Sequence, residues 1–180
     1  MIIAETKFKE NIVEYIIYMR QVQEIIRAND FDINKINKII INNYDVSEIK
    51  KNEIRQWYSD LMINMKKEEL DSKGDLSFIK EIITELNEIH KKLISDPEDF
   101  RHKELYRWAE PNIKEYRILS KYKEESETEI CINALTSLLL LRLKQRAISD
   151  ETAQAMQTFS NLLANLALHY HNKDIEIGVK

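Results

Sequence analysis

The stretch KFKENIVEYIIYMRQVQEIIRA, residues 7–28, decides the fold class. Within it Phe8, Ile12, Tyr15, Ile16, Met19, Val22 and Ile26 return at steps of three and four, the spacing that stacks side chains on one stripe of a helix. A half-buried strand would instead alternate at every second position. The spacing therefore predicts one amphipathic helix over 7–28, and the same period recurs outward along the chain. Asn29-Asp30-Phe31-Asp32 reads as a break and an N-cap, after which Ile33, Ile36, Ile39 and Ile40 carry a shorter helix to Asn43. Ser47 caps the next, with Ile54, Trp57, Tyr58, Leu61, Met62 and Met65 facing inward, and Gly74 suits a left-handed terminator.

Beyond Gly74, Asp75 reads as the cap of a helix whose stripe is Ile79, Ile82, Ile83, Leu86, Ile89, His90 and Leu93, ending at Ser95. Asp96-Pro97 predicts the start of another, because Pro at the first helical position gives up only an amide that had no partner. That helix carries Phe100, Tyr106 and Ala109 inward, and Pro111 is expected to kink it or to begin a new one. The charged run Lys121–Glu129 is a solvated helix face or a connection; the sequence leaves open whether one helix or two span 111–147. Residues 129–147, with six leucines between 135 and 143, are apolar nearly all round and read as the central helix. Ser149 opens the last helix, with Thr152, Met156, Phe159, Leu163, Leu166 and Tyr170 as its stripe and a loose tail over 171–180. The expectation is an all-α fold: a single globular domain over 1–180, an up-and-down bundle of six or seven helices.

Composition supports this. Two glycines and two prolines in 180 residues are too few for the tight turns of a sandwich or an α/β sheet. Hydrophobic residues at 43% and a net charge of -4 fit a folded chain and disfavour one built mainly to bind nucleic acid. One cysteine, Cys131, rules out an intramolecular disulfide and fits a reducing compartment, so the expected location is cytoplasmic. The first residues lack a secretory pattern, and no apolar stretch approaches a membrane span, so no membrane association is expected.

Most chemistries fail on residue type. With only Gly74 and Gly178, no phosphate-cradling loop or serine elbow can be built. Di-iron bundles use Glu-x-x-His, which does not occur; Asp99-x-x-His102 comes nearest and reads better as a helix start. His169 and His171, two apart, fall on different faces near a chain end and are expected in solvent. No arginine stands five to seven places before a histidine, as some helical ribonucleases require. Cys131 lies between two isoleucines and reads as a buried thiol. Neither a catalytic residue, a metal ligand nor a cofactor-binding residue is assigned.

A few positions keep binding interest beside a plainer reading. His90, on an apolar stripe, is either a buried imidazole hydrogen-bonded to a neighbouring helix or part of a pocket. Arg142 shares a face with Leu135 and Leu138, and reads as an ion pair with Glu115 or Glu129, or as an anion hook. Residues 100–123 interleave Phe100, Tyr106, Trp108, Tyr116 and Tyr122 with cations including Arg107, Lys114 and Arg117. Such a mixture serves single-stranded nucleic acid, or is simply the wet side of an amphipathic helix. Trp57 is core packing or an anchor for a partner.

The motifs Glu10-Asn11-Ile12 with Glu14-Tyr15 and Tyr18-Met19, Ile26-Arg27-Ala28 before Phe31-Asp32, Trp57-Tyr58, and Leu139-Leu140-Leu141-Arg142-Leu143 before Ile148-Ser149 carry a resemblance. They resemble a family of small uncharacterised bacterial helical proteins, a domain of unknown function, over most of the chain. Thr136-Ser137 departs from the Tyr-Gly of that family. The resemblance implies a cytoplasmic all-α protein and transfers no catalytic residue. The functional expectation is a non-catalytic helical interaction module, self-associating as a dimer through an alanine-rich or leucine-rich face or binding another protein. The alternative is a binding protein for an anionic ligand or RNA that uses the 100–123 face with Arg142.

Overall fold

The computed structural model describes residues 2–120 and 124–177, with side chains through Asn172. Among these residues there are eight α-helices and no strand: α1 (Ile2–Glu10), α2 (Ile12–Ala28), α3 (Ile33–Ile39), α4 (Glu48–Lys67), α5 (Ser77–Ser95), α6 (Phe100–Leu119), α7 (Glu127–Leu143) and α8 (Asp150–Ile177), with a 3-10 turn at Ile41–Asn43. The eighth helix, one beyond the six or seven expected, comes from a break at Asn11. Its Oδ1 accepts the Val13 amide at 3.0 Å, a local bond that competes with the helical ladder and starts α2 afresh. Phe8 consequently lies outside the α2 stripe; it is exposed and packs edge-on against Tyr15. No helix among the described residues is long and apolar enough to cross a membrane.

The chain forms two compact units. The first comprises α1 with the chain from Glu14 to Glu81, and the second Asn11–Val13 with everything from Ile82 onward. In the first unit Ile16, Met19, Val22 and Ile26 of α2 are buried, as are Ile54, Tyr58, Leu61 and Met65 of α4. The α4–α5 connection is tied to α2 by polar side chains. Gln23, fully buried, accepts the Leu76 amide at 2.9 Å and donates to the Met19 carbonyl at 3.2 Å. Arg20 pairs with Asp75 at 2.7 Å, and Arg27 donates to the carbonyls of Leu70 and Gly74. Asp75 is thus a clasp rather than the α5 cap; the first amide of α5, on Ser77, goes instead to Glu68 at 2.7 Å. Gly74 does take a positive φ of 95°, but the left-handed residue ending α4 is Glu69, at 56°. Ser47 and Asp32 cap their helices as the sequence predicts.

In the second unit α6 and α8 run antiparallel. The partners of Asp99, His102 and Asn112 on α6 are His169, Asn165 and Thr158 on α8, falling in number as α6 rises. The cap of α6 is Asp99, not Asp96-Pro97: its carboxylate accepts the His102 amide at 2.7 Å, while Asp96 closes a local turn onto Glu98. Helix α6 continues through Pro111, where both the proline and Arg107, whose carbonyl loses its donor, are exposed residues. Phe100 is exposed rather than inward. It stands about two and a half turns from the buried Ala109, hence on the opposite face, and the buried stripe is His102, Leu105, Ala109 and Ile113.

Residues 111–147 hold two helices. Ser126 caps α7, its hydroxyl accepting the Glu129 amide at 3.2 Å. Helix α7 is central only as far as Leu138: Ile130, Cys131, Ile132, Ala134 and Leu138 are buried, whereas Leu140, Leu141 and Leu143 are exposed. Helix α8 buries Met156, Phe159, Leu163, Leu166 and Tyr170 as expected, while Thr152, the first of the expected stripe, is exposed in the first turn. It continues to Ile177, so most of the segment expected as a loose tail is helical, carried on past the buried anchor Tyr170.

If Gln23 is the keystone of the first unit, Gln23→Leu strands the buried Leu76 amide and costs about 1–3 kcal/mol. Urea unfolding of the two proteins measures this, and an unchanged midpoint would contradict it.

Candidate functional site

Helix α5 presents His90 on the same stripe as Leu86, and α6 presents His102 and Tyr106 one turn apart toward it. Both histidines are buried, at 4% and 0% exposure, so each ring nitrogen needs a partner. All four nitrogens have one. His102 Nδ1 meets Asn165 Oδ1 at 2.8 Å, and His102 Nε2 meets His90 Nδ1 at 2.8 Å. His90 Nε2 meets Glu127 Oε2 at 3.1 Å. The other oxygen of Glu127 accepts the Tyr106 hydroxyl at 2.9 Å. An unbroken line of hydrogen bonds therefore crosses α8, α6, α5 and α7. The His90 ring packs edge-on against both His102 and Tyr106, with centroids 5.0 and 5.1 Å apart.

The line ends at a cleft of about 540 Å³ whose walls include Asn87, His90, Lys91, Tyr106, Arg117 and Glu127. Arg117 donates to the Glu125 carbonyl at 2.7 Å and so ties the segment before α7 to α6. The electrostatics follow from burial and partners. Desolvation holds the His102 imidazole below the ordinary histidine value, despite the opposing bond to Asn165. Hydrogen bonding from His90 holds Glu127 below the usual carboxylate range against its own desolvation. Burial, then the contact with Glu127, pushes the Tyr106 phenol well above its ordinary value, so it stays a donor at neutral pH. Cys131 is buried and its thiol is likewise pushed up, by desolvation first.

Of the residues singled out in the sequence, the structure gathers two at this site, His90 and Arg117. The other four are dispersed. Arg107 is exposed on the outer face of α6, and Lys114 is exposed in an ion pair with Glu110 at 2.8 Å. Trp57 is half-buried, edge-on to Tyr58. Arg142 is exposed in the last turn of α7, where a cation complements the helix dipole, and no ion pair to Glu115 or Glu129 forms among the described residues. Burial along α7 ends at Leu138, before Arg142 is reached. The 100–123 segment does not present one face: Tyr106 and Tyr116 turn inward, to Glu127 and to Ser137 and Phe159, while Phe100 and Trp108 face out. Lys121, Tyr122 and Lys123 lie outside the described residues.

Sequence reading missed His102, Glu127 and Asn165. The signal was present in part: Asp99, His102 and Tyr106 stand three and four apart, and the reading of Asp99 as a helix start holds, but the spacing does not reveal a partner for the His102 ring. The work of Asp99 and His102 is divided, the carboxylate capping α6 and the ring facing His90. His169, expected in solvent, is half-buried, with Nε2 3.6 Å from Asp99.

The family model described as "Domain of unknown function (DUF4924)" matches residues 1–176. No curated protein and no solved structure matches the chain.

Both depressed groups set the sign of the pH dependence. A histidine or carboxylate whose folded pKa is lowered stabilises the fold above its unfolded value, and that stability is lost as pH falls. Stability should therefore decline on acidification from about pH 7, first as His102 and then as Glu127 takes a proton. In His102→Gln the slope between about pH 7 and 5 should flatten; thermal melts across that range measure it, and an unaltered slope would show His102 is not the group responsible.

Proposed function

Because the chain belongs to the DUF4924 family, which brings no assigned activity to it, we propose from its own surface that it is a non-catalytic helical interaction module that self-associates. The observation that carries this reading is the exposed leucine end of α7, where Leu140, Leu141 and Leu143 are 46%, 40% and 68% accessible. Leucines concentrated at one helix end and left in water mark a surface that gains by being covered. Ala153, exposed in the first turns of α8 just after the connection from α7, adds a small side chain that lets a neighbouring helix approach closely. A second copy meeting this end in a two-fold arrangement would bury the leucines of both. The single buried Cys131 suits a cytoplasmic setting for such a module.

Sedimentation across a concentration series tests it. A dimer is expected, and Leu143→Glu should weaken association by about ten- to a hundredfold, the equivalent of losing one buried leucine. A monomer at every concentration would overturn the reading.

A second reading, an anionic ligand or RNA held on the outer face of α6, draws on Phe100 and Trp108. These are 77% and 67% exposed beside Arg101, Arg107 and Lys114. Two of those cations are offset, Arg101 by Glu104 and Lys114 by Glu110. Self-association is therefore preferred; RNA binding whose affinity falls steeply with salt would reverse that preference.

A further inference from the structure

The number of protons held around His90 follows from which way the Asn165 carboxamide faces. A neutral imidazole has one donor and one acceptor nitrogen. Asn165 presents its oxygen to His102 Nδ1, so that nitrogen carries the proton and His102 Nε2 must accept. His90 Nδ1 then donates to it. That leaves His90 Nε2 a lone pair if the ring is neutral, facing a carboxylate oxygen of Glu127 at 3.1 Å. Two acceptors cannot share that contact, so a further proton sits between His90 and Glu127. Tyr106 cannot supply it, since its own proton is committed to the other oxygen.

A second arrangement satisfies every group with one proton fewer. If the Asn165 carboxamide turns over, its NH2 donates to His102 Nδ1. Each ring then carries its single proton on Nε2, His102 donating to His90 and His90 to the Glu127 carboxylate. The carboxamide's oxygen and nitrogen are nearly the same size, so the turn needs no repacking. Three ring protons in the first arrangement become two in the second, and the third passes to water; Glu127 ends as a carboxylate in both descriptions.

We propose that the Asn165–His102–His90–Glu127 line is a two-state proton switch, in which loss of one proton reverses the two hydrogen bonds on either side of His102, leaves His90 donating to Glu127, and turns over the Asn165 carboxamide on α8. The cleft gives the Glu127 end access to water, so a change of pH or of charge there is transmitted to α8 through two buried rings. The groups around the line bias it. On α5 and in the segment before α7 these are Lys91, Glu124 and Glu125, with Arg117 and Tyr106 from α6 and Cys131 from α7. Asp99 from α6 and His169 from α8 act on His102 at the other end.

The test is nitrogen NMR of the histidine rings in the full-length protein, titrated from roughly pH 5 to pH 9, the range in which histidines exchange protons. As pH rises, His102 should exchange a protonated Nδ1 for a protonated Nε2. The Asn165 carboxamide resonances should move with the same midpoint. Glu127→Gln can satisfy His90 with either face of its amide, so its tautomer ratio should not change with pH. Asn165→Asp can only accept, and should hold His102 with Nδ1 protonated throughout; it serves as the test if the first variant does not fold. A His102 that keeps one tautomer across the wild-type titration would overturn the switch, as would separate midpoints for the two rings or an unchanged exchange in either variant.

Discussion

Two buried imidazole rings, bonded nitrogen to nitrogen at 2.8 Å, set the constraint on which the second unit depends. A buried polar atom without a partner costs about 1–3 kcal/mol. Four ring nitrogens must therefore be matched; two meet each other, and the groups for the other two come from α7 and α8. Asn165 must stand opposite His102, Glu127 opposite His90, and Tyr106 one turn beyond His102. Each requirement fixes a register: α8 against α6, the first turn of α7 against α5, and the rotation of α6 about its own axis. Leucine and isoleucine packing tolerates small slides between helices far better than this line does. The polar line specifies an arrangement that the apolar stripes make favourable.

The first unit meets a related problem by other means. There the groups to be satisfied are backbone amides and carbonyls in the α4–α5 connection, and long side chains from α2 reach them. Gln23 takes the Leu76 amide, Arg27 two carbonyls and Arg20 the Asp75 carboxylate. These positions are spaced three and four apart on α2 beside its apolar stripe, so one helix face carries both the core and the clasp. In one unit polar side chains hold a loop; in the other they hold each other.

How much of this the sequence discloses depends on whether the determinant is local. The stripes of α2, α4, α5 and α8 were legible because periodicity is a property of neighbouring residues, and the caps Asp32, Ser47 and Ser149 because their bonds reach only two or three positions. Asn11 interrupts its helix through one local side-chain bond, and a continuous apolar period concealed it. Asp75 and Asp96 look like caps in isolation and are diverted by Arg20 and by a local turn. Phe100 and Arg142 failed for one shared reason: hydrophobic content was taken as burial, yet the start of α6 and the end of α7 lie in water. The histidine line was the least legible feature. Its members are separated by 12, 37 and 63 positions along the chain, and only tertiary packing brings them together.

The claim that this line acts as one unit is tested most directly by a double-mutant cycle between its ends. Glu127→Ala, Asn165→Ala and the double variant would each be unfolded in urea at neutral pH. The two residues do not bond to each other; they meet only through His90 and His102. Changes without a shared partner add to within about 0.3–0.5 kcal/mol. If the rings transmit hydrogen-bond polarity, the double variant should depart from additivity by more than this. Strict additivity would mean that the two ends are independent, and that the buried histidines fill space without coupling α7 to α8.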